Sequence, residues 1–264
     1  MPTSHQTWLA LAIGNSKLHW ACFCEDRLQA TWNTPHMRAM EVERLARSNF
    51  DPNAWTQCDR IPTIPQLNAA IPIWMASVVP EQAELWQTYA WVETLALDNL
   101  PLGKTYPTLG IDRALAVVGA GSRLGYPSLA IDSGTALTLT GADAEQTLVG
   151  GAILPGLGLQ LASLSRGTAQ LPQLNAREIA ALPSRWSANT PEAIQSGVIY
   201  TLIAGLNDFI QAWWQQFPES GVALTGGDRE VLWNYLRKRF PETAARVTVD
   251  ANLVFWGMQV ARDC

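Results

Sequence analysis

A short apolar strand, a glycine-centred polar turn and a second strand occur twice in this chain. The first copy runs from Trp8 to Phe23 around Gly14-Asn15-Ser16-Lys17, and the second from Leu129 to Thr140 around Ser133-Gly134-Thr135. Glycine lets the main chain approach a ligand closely, and successive N–H groups in such a turn can hold a phosphate. Asn15, Ser16 and Thr135 add polar donors, and Lys17 adds positive charge. A plain β-hairpin favours Asn and Gly too, so either turn alone is ambiguous. Recurrence within a like strand pattern favours the phosphate reading. It predicts two related domains facing one another across a phosphate-holding cleft. The copies differ at one position: Asp132 stands two residues before its glycine, where the first copy has Ala12.

The rest of the chain fits a duplication. Residues 8–34 read as two or three antiparallel strands with a hairpin turn at Glu25-Asp26-Arg27. A helix is expected over 40–50, loops over the Pro- and Asn-rich 51–70, and a buried strand over 73–79 closed by Pro80. Pro80 starts a helix to Trp86, 91–97 reads as a strand, and the Ala-rich stretch 112–121 as a helix. The second half opens with strands 128–132, 136–140 and 147–153, with Gly141 to Glu145 as a turn. Helices at 156–166, 191–216 and 228–239, strands at 222–225 and 247–250, and a closing helix at 252–262 follow. Strand meanders alternating with helices twice over predict an α/β duplicated fold.

Composition supplies the limits. The 264 residues suit two domains, and 48% hydrophobic with 16% charged residues is enough apolar material for two cores. A net charge of −5, with Arg237-Lys238-Arg239 as the densest basic run, argues against a nucleic-acid partner. Cys22, Cys24, Cys58 and Cys264 fit neither a zinc site nor a disulfide framework, which suggests a reducing cytoplasm. Neither a signal peptide nor a long uninterrupted apolar run stands out, so no membrane association is expected. The twelve tryptophans read mainly as core or interface filler. His5, His19 and His36 have no metal-like spacing, and His19, within a strand, reads as structural or as a weak phosphate donor.

Other motifs could carry chemistry. Gly110-Ile111-Asp112-Arg113 opens the Ala-rich helix. Asp112 there could be a simple helix cap, or a general base beside an arginine that grips a substrate carboxylate. Thr225-Gly226-Gly227-Asp228 lies between a strand and a helix, where the backbone could lie against a nucleotide. Gly150-Gly151 and Pro155-Gly156 could be turn chemistry alone.

With these residues in place, the chain resembles the type III pantothenate kinases, within the superfamily of acetate and sugar kinases, Hsp70 and actin. The resemblance covers nearly the whole length. It implies duplicated actin-like (ribonuclease H-like) domains, each a mixed sheet with helices, divided at 1–124 and 125–264 with a cleft between. The family's first phosphate motif, Asp-x-Gly-Asn-Thr/Ser, is similar to Ala12-Ile13-Gly14-Asn15-Ser16, with Lys17 and His19 in places where basic residues often follow. Its Gly-x-Asp-Arg motif matches Gly110 to Arg113, which implies Asp112 as base and Arg113 as substrate contact. Its second phosphate motif matches Asp132-Ser133-Gly134-Thr135-Ala136, implying a monovalent cation at Asp132 and ATP at Thr135. Gly150 to Gly156 resembles its glycine-rich strand end, and Thr225 to Asp228 its adenosine-side turn, with Gly226 and Gly227 on the nucleotide. Thr190 matches a pantothenate-contacting threonine supplied across a dimer. Two positions depart from the pattern: Ala12 replaces an aspartate near the phosphates and divalent metal, and Tyr106 lies closer to Gly110 than the family's substrate tyrosine.

What the resemblance implies is phosphoryl transfer from ATP·Mg²⁺ to pantothenate in the cytoplasm, the first step to coenzyme A, by a homodimer using K⁺ or NH₄⁺. A non-catalytic or regulatory homologue is the alternative that Ala12 keeps open, and a kinase of another hydroxyl-bearing substrate is a third.

Overall fold

The computed structural model describes residues 7–60, 64, 69–168, 170–175, 179 and 181–264. His5 and part of the 51–70 loop lie outside them. Two compact units emerge. One comprises residues 1–101, 105–119 and 254–264, the other 102–104 and 120–253.

The first unit begins with β1 (Thr7–Ile13), β2 (Leu18–Cys24) and β3 (Arg27–Thr34), followed by α1 (Ala39–Arg47), β4 (Ile73–Ser77), α2 (Pro80–Trp86) and β5 (Val92–Thr94). Then comes α3 (Ile111–Leu124), whose first nine residues belong here. The sheet order is β3-β2-β1-β4-β5, with β1–β2 and β2–β3 antiparallel and β1–β4 and β4–β5 parallel. Tryptophan fills this core as its abundance suggests. Trp20 stacks on Trp32 (6.0 Å between centroids) and meets Trp55 and Trp86 edge-on at 5.1 and 4.8 Å. Helix α1 stops at Arg47, short of the expected Phe50, because Asn49 and Phe50 take positive φ. Only Val92–Thr94 of the expected strand 91–97 pairs, and 97–99 forms a 3₁₀ turn.

The second unit contains β6 (Ser128–Ser133), β7 (Ala136–Ala142), β8 (Leu148–Pro155), α4 (Leu157–Gly167), α5 (Thr190–Gln216), β9 (Gly221–Thr225), α6 (Arg229–Arg239), the short α7 (Pro241–Ala245) and β10 (Val247–Val249). Its sheet order, β10-β9-β6-β7-β8, repeats that of the first unit. In each, the leading strand pairs antiparallel with the next and parallel with the fourth. The duplication seen in sequence is thus a duplication of topology, and the two Gly turns occupy equivalent hairpins. The 27-residue α5 is long and apolar enough to cross a membrane by composition, yet Ile199, Ile203 and Ile210 are spent in this unit's core. Strand β7 runs through Ala142, so the expected turn at 141–145 moves to Asp143–Gln146, where Asp143 Oδ1 accepts the N–H groups of Glu145 and Thr147.

A linear division at 124/125 therefore needs correcting. The boundary falls inside α3, and the closing helix α8 (Leu253–Asp263) returns to the first unit from Val254 onward. The reason is packing: Trp256 meets Phe23 edge-on, the Arg262 guanidinium lies 4.7 Å from the Trp8 ring, and Gln259 donates to the Asp26 carbonyl. Gly257 allows α8 to lie against α3, where a Cβ would overlap the Leu115 carbonyl.

Candidate functional site

In the first unit, Gly14 to Lys17 forms the four-residue connection between β1 and β2, closed by Gly14 N–H donating to the Lys17 carbonyl (3.0 Å). Asn15, Ser16 and Lys17 are exposed, and Ile13 is buried at the end of β1. His36 Nε2 lies 2.8 Å from the Gly14 carbonyl, and since a carbonyl only accepts, this nitrogen carries the proton. His19 stands opposite Ala12 across the β1–β2 pair. Its Nδ1 is 2.6 Å from Asn33 Oδ1, and Asn33 in turn donates Nδ2–H to Asp59 Oδ2 (2.6 Å). His19 is exposed at one edge, yet the protein packed around the rest of its ring desolvates it and, partly offset by the Asn33 bond, holds its pKa below the usual value; Lys17 lowers it further and Asp59 opposes.

Also in this unit, Gly110 to Arg113 opens α3. Asp112 is half-buried, and its Oδ1 accepts the Arg113 main-chain N–H (2.8 Å). A Cβ on Gly110 would sit 2.5 Å from the same oxygen, so glycine gives this carboxylate its room. Arg113 is buried, and its Nη1 donates to the Tyr106 hydroxyl (3.0 Å). Tyr106 is therefore brought onto the Gly-x-Asp-Arg motif despite its short spacing, and Ile111 is half-buried beside it in the chain.

In the second unit, the β6–β7 turn is one residue tighter, with Gly134 N–H donating to the Ala136 carbonyl (3.0 Å). Thr135 is exposed at its tip. Two glycines from other segments press on this turn. A Cβ on Gly156 would overlap the Gly134 carbonyl oxygen and stand 2.8 Å from that of Thr135. Gly226, at φ +92°, accepts a backbone few side chains can adopt, and a Cβ there would overlap Asp132 Oδ1 and lie 2.5 Å from the Ser133 carbonyl. The Asp132 carboxylate and the Ser133 carbonyl thus converge on one point. Carboxylate and carbonyl oxygens of this kind suit a hard cation rather than a soft one. Asp228 N–H donates to the Ser133 carbonyl, Ser133 Oγ–H to that of Thr225, and Gly227 is exposed. Arg229, which sequence reasoning did not single out, donates Nη1–H to the Gly226 carbonyl (2.8 Å). Thr190 is the exposed first residue of α5, just after the cap Asn189, whose side chain accepts from Glu192 N–H.

Each predicted residue thus falls at a turn, a helix start or a strand end of its own unit. Missed were Asn33, His36 and Asp59, whose roles depend on partners far along the chain, and Arg229, whose partner is only three residues away. Among the described residues, no group of three or more His, Cys, Asp or Glu gathers in a metal-like cluster.

Comparison with known proteins places the chain. The family profile for type III pantothenate kinase matches residues 8–212. A curated type III pantothenate kinase from Nostoc sp. is 50% identical over 96% of this chain and 93% of its own length. The fold is similar to that of a conserved Campylobacter jejuni protein assigned to the Baf family of transcriptional activators (TM-score 0.62, 19% identity, 97% of each chain). It is also similar to a glucokinase from an Antarctic psychrotroph (TM-score 0.51, 11% identity, 99% of this chain and 100% of that one). The chain belongs to the type III pantothenate kinase family, with the mixed α/β fold of the actin-like sugar kinases.

Proposed function

We propose that this type III pantothenate kinase transfers the γ-phosphoryl group of ATP to the primary hydroxyl of pantothenate, giving 4′-phosphopantothenate, the first committed product on the way to coenzyme A. The reading is carried by Gly110–Arg113, where a carboxylate given room by glycine stands next to a buried, tyrosine-bonded arginine at a helix start.

Asp112 takes the hydroxyl proton as the substrate oxygen attacks the γ-phosphorus. The bond from that phosphorus to the bridging oxygen breaks, and ADP leaves with the electron pair. Arg113 grips the pantothenate carboxylate, and Tyr106, Gly110 and Ile111 shape the pocket around it. The nucleotide enters as its Mg²⁺ complex. Ile13, Gly14, Asn15, Ser16, Lys17 and His19 bind phosphate at their turn, and Gly134, Thr135, Gly226 and Gly227 contact nucleotide at theirs. Asp132 would hold K⁺ or NH₄⁺, whose charge would offset that of the phosphates. Ala12 offers no carboxylate to a divalent ion, so this turn would act on the Mg²⁺ complex through the phosphates it binds rather than through a side-chain ligand at position 12. Thr190 serves the active site of a partner subunit, making the homodimer the working form. The cytoplasm, where ATP and thiols stay available, is its compartment.

The test is ATP- and K⁺-dependent phosphorylation of pantothenate by the purified protein beside Asp112→Asn. Removing a general base should cost about 10²–10⁴ in kcat. No turnover by the parent at saturating ATP and K⁺ overturns the assignment and leaves the non-catalytic reading. Activity that survives Asp112→Asn overturns the base alone. Mixing Asp112→Asn with Thr190→Ala subunits should restore about a quarter of parental activity if sites are completed across a two-fold interface.

A further inference from the structure

His19 is held from behind by two side chains to which the function above gives no part. Asn33, opposite His19 on β3, donates Nδ2–H to Asp59 Oδ2 (2.6 Å) and its main-chain N–H to Asp59 Oδ1 (2.9 Å). Asp59 N–H returns to the Asn33 carbonyl (3.1 Å). These bonds fix more than position. A carboxylate only accepts, so the Asn33 amide nitrogen must face Asp59 and its oxygen must face His19. That oxygen also only accepts, so His19 Nδ1 carries a proton. In the neutral ring Nε2 is then a bare lone pair, and it lies 3.7 Å from where a Cβ of Gly14 would be. Phosphate oxygens are acceptors as well. Nε2 can bind one only after gaining its own proton, at which point the contact becomes charge-assisted.

We propose that Asp59 and Asn33 are positioning residues that make His19 a proton-coupled phosphate contact: phosphate binds at the Gly14 turn together with one proton taken up on His19 Nε2. The inference rests on the reading of that turn as a phosphate site. The charged groups bearing on the ring are Lys17 from the turn and Asp59 from beyond β3. Desolvation of the ring and Lys17 disfavour the imidazolium in the free protein, and an arriving phosphate opposes them.

The experiment is calorimetric titration of the whole protein with Mg·ADP, in two buffers of different ionisation enthalpy, from pH 6 to 8.5. Wild type should take up close to one proton per nucleotide, with affinity falling up to tenfold per pH unit once His19 is neutral in the free protein. His19→Gln, whose amide donates without a proton, should bind with that uptake removed and with a flatter pH profile. Asn33→Leu frees the ring to move its proton to Nε2, so uptake should drop while binding persists; a merely structural role for Asn33 would leave the proton count alone. Asp59→Asn, which removes the carboxylate that orients Asn33, should act the same way more weakly. Uptake unchanged in His19→Gln, or absent in wild type while Gly14→Val abolishes binding, overturns the relay and spares the turn. Unchanged affinity in Gly14→Val overturns the phosphate reading and the relay with it.

Discussion

Ala12→Asp restores the family's motif residue, and the sheet register says what else it does. Ala12 lies directly across from His19 on the antiparallel neighbour and beside Ala76 on the parallel one. Directly opposed residues point to one face with Cβ atoms about 5 Å apart. A carboxylate there meets an imidazolium at about 5 Å, and with an effective dielectric between about 40 and 80 for a partly exposed pair the attraction is about 1–2 kcal/mol. That favours the protonated ring by roughly tenfold. The sign follows: the raised His19 pKa adds stability at pH values where the ring is charged, and this is lost as pH rises through the folded-state value. Above it the half-buried carboxylate faces a neutral ring. The assay is the pH titration of the His19 ring proton by NMR in parent and variant, with Mg²⁺ titrations of kinase activity alongside. The titration midpoint should move upward in the variant, and less so in high salt. The variant should also need less Mg²⁺, because a carboxylate can hold the ion through water. Identical ring titrations would refute the cross-strand placement, and identical Mg²⁺ titrations would show that position 12 does not touch the metal.

Gly156→Ala forces the β6–β7 turn to move, because its Cβ meets backbone oxygens that cannot rotate away; urea unfolding should show a loss of about 1–3 kcal/mol, with a raised KM for ATP. Tyr106→Phe removes one partner of a buried guanidinium, so KM for pantothenate should rise about fivefold for a bond worth about 1 kcal/mol, with kcat little changed. The Cys22 thiol is pushed up to about 12 by burial and, secondarily, by Cys24. In the folded protein at pH 8, iodoacetamide should therefore label exposed Cys264 and spare Cys22, as read by mass spectrometry. The unfolded thiol ionises near its ordinary 9.0 and the folded one does not. Stability should accordingly fall as pH climbs from that value toward about 12.

The two hairpins were legible because everything that makes them is local: alternation, a glycine and a polar turn within some 16 residues. The same locality exposed the Gly110–Arg113 helix start and the Gly226 turn. It could not reveal that α8 leaves the second unit, since nothing between Leu253 and Asp263 names Phe23, Trp8 or Leu115 as its partners. Gly257 is the nearest thing to a signal, a glycine inside an apolar helix, and it reads as a close approach only once α3 is known to lie there. Arg229 escaped for a different reason, since its partner is only three residues away. It looks like the first charge of an amphipathic helix until its guanidinium is seen on the Gly226 carbonyl.

The His19 relay was hidden by something smaller. Pairing of β2 with β3 starts from Cys24 opposite Arg27 and Phe23 opposite Leu28, and continued without interruption it would set His19 against Trp32. Instead the register shifts after Phe23, Cys22 pairs with Ala30, and Gln29 is left as the extra residue of a β-bulge. A one-residue slip exchanges the faces of every side chain beyond it. Here it turns Trp32 inward to stack on Trp20, and brings Asn33 opposite His19 on the other face. One inserted residue therefore serves both the tryptophan core and the polar support behind the phosphate turn. No periodicity marks it, because Gln29 fits a strand reading as well as its neighbours do. What selects the bulge is the burial of a large aromatic surface at Trp32, worth about 1.5–3 kcal/mol against leaving it exposed, and the placement of Asn33 follows from that choice.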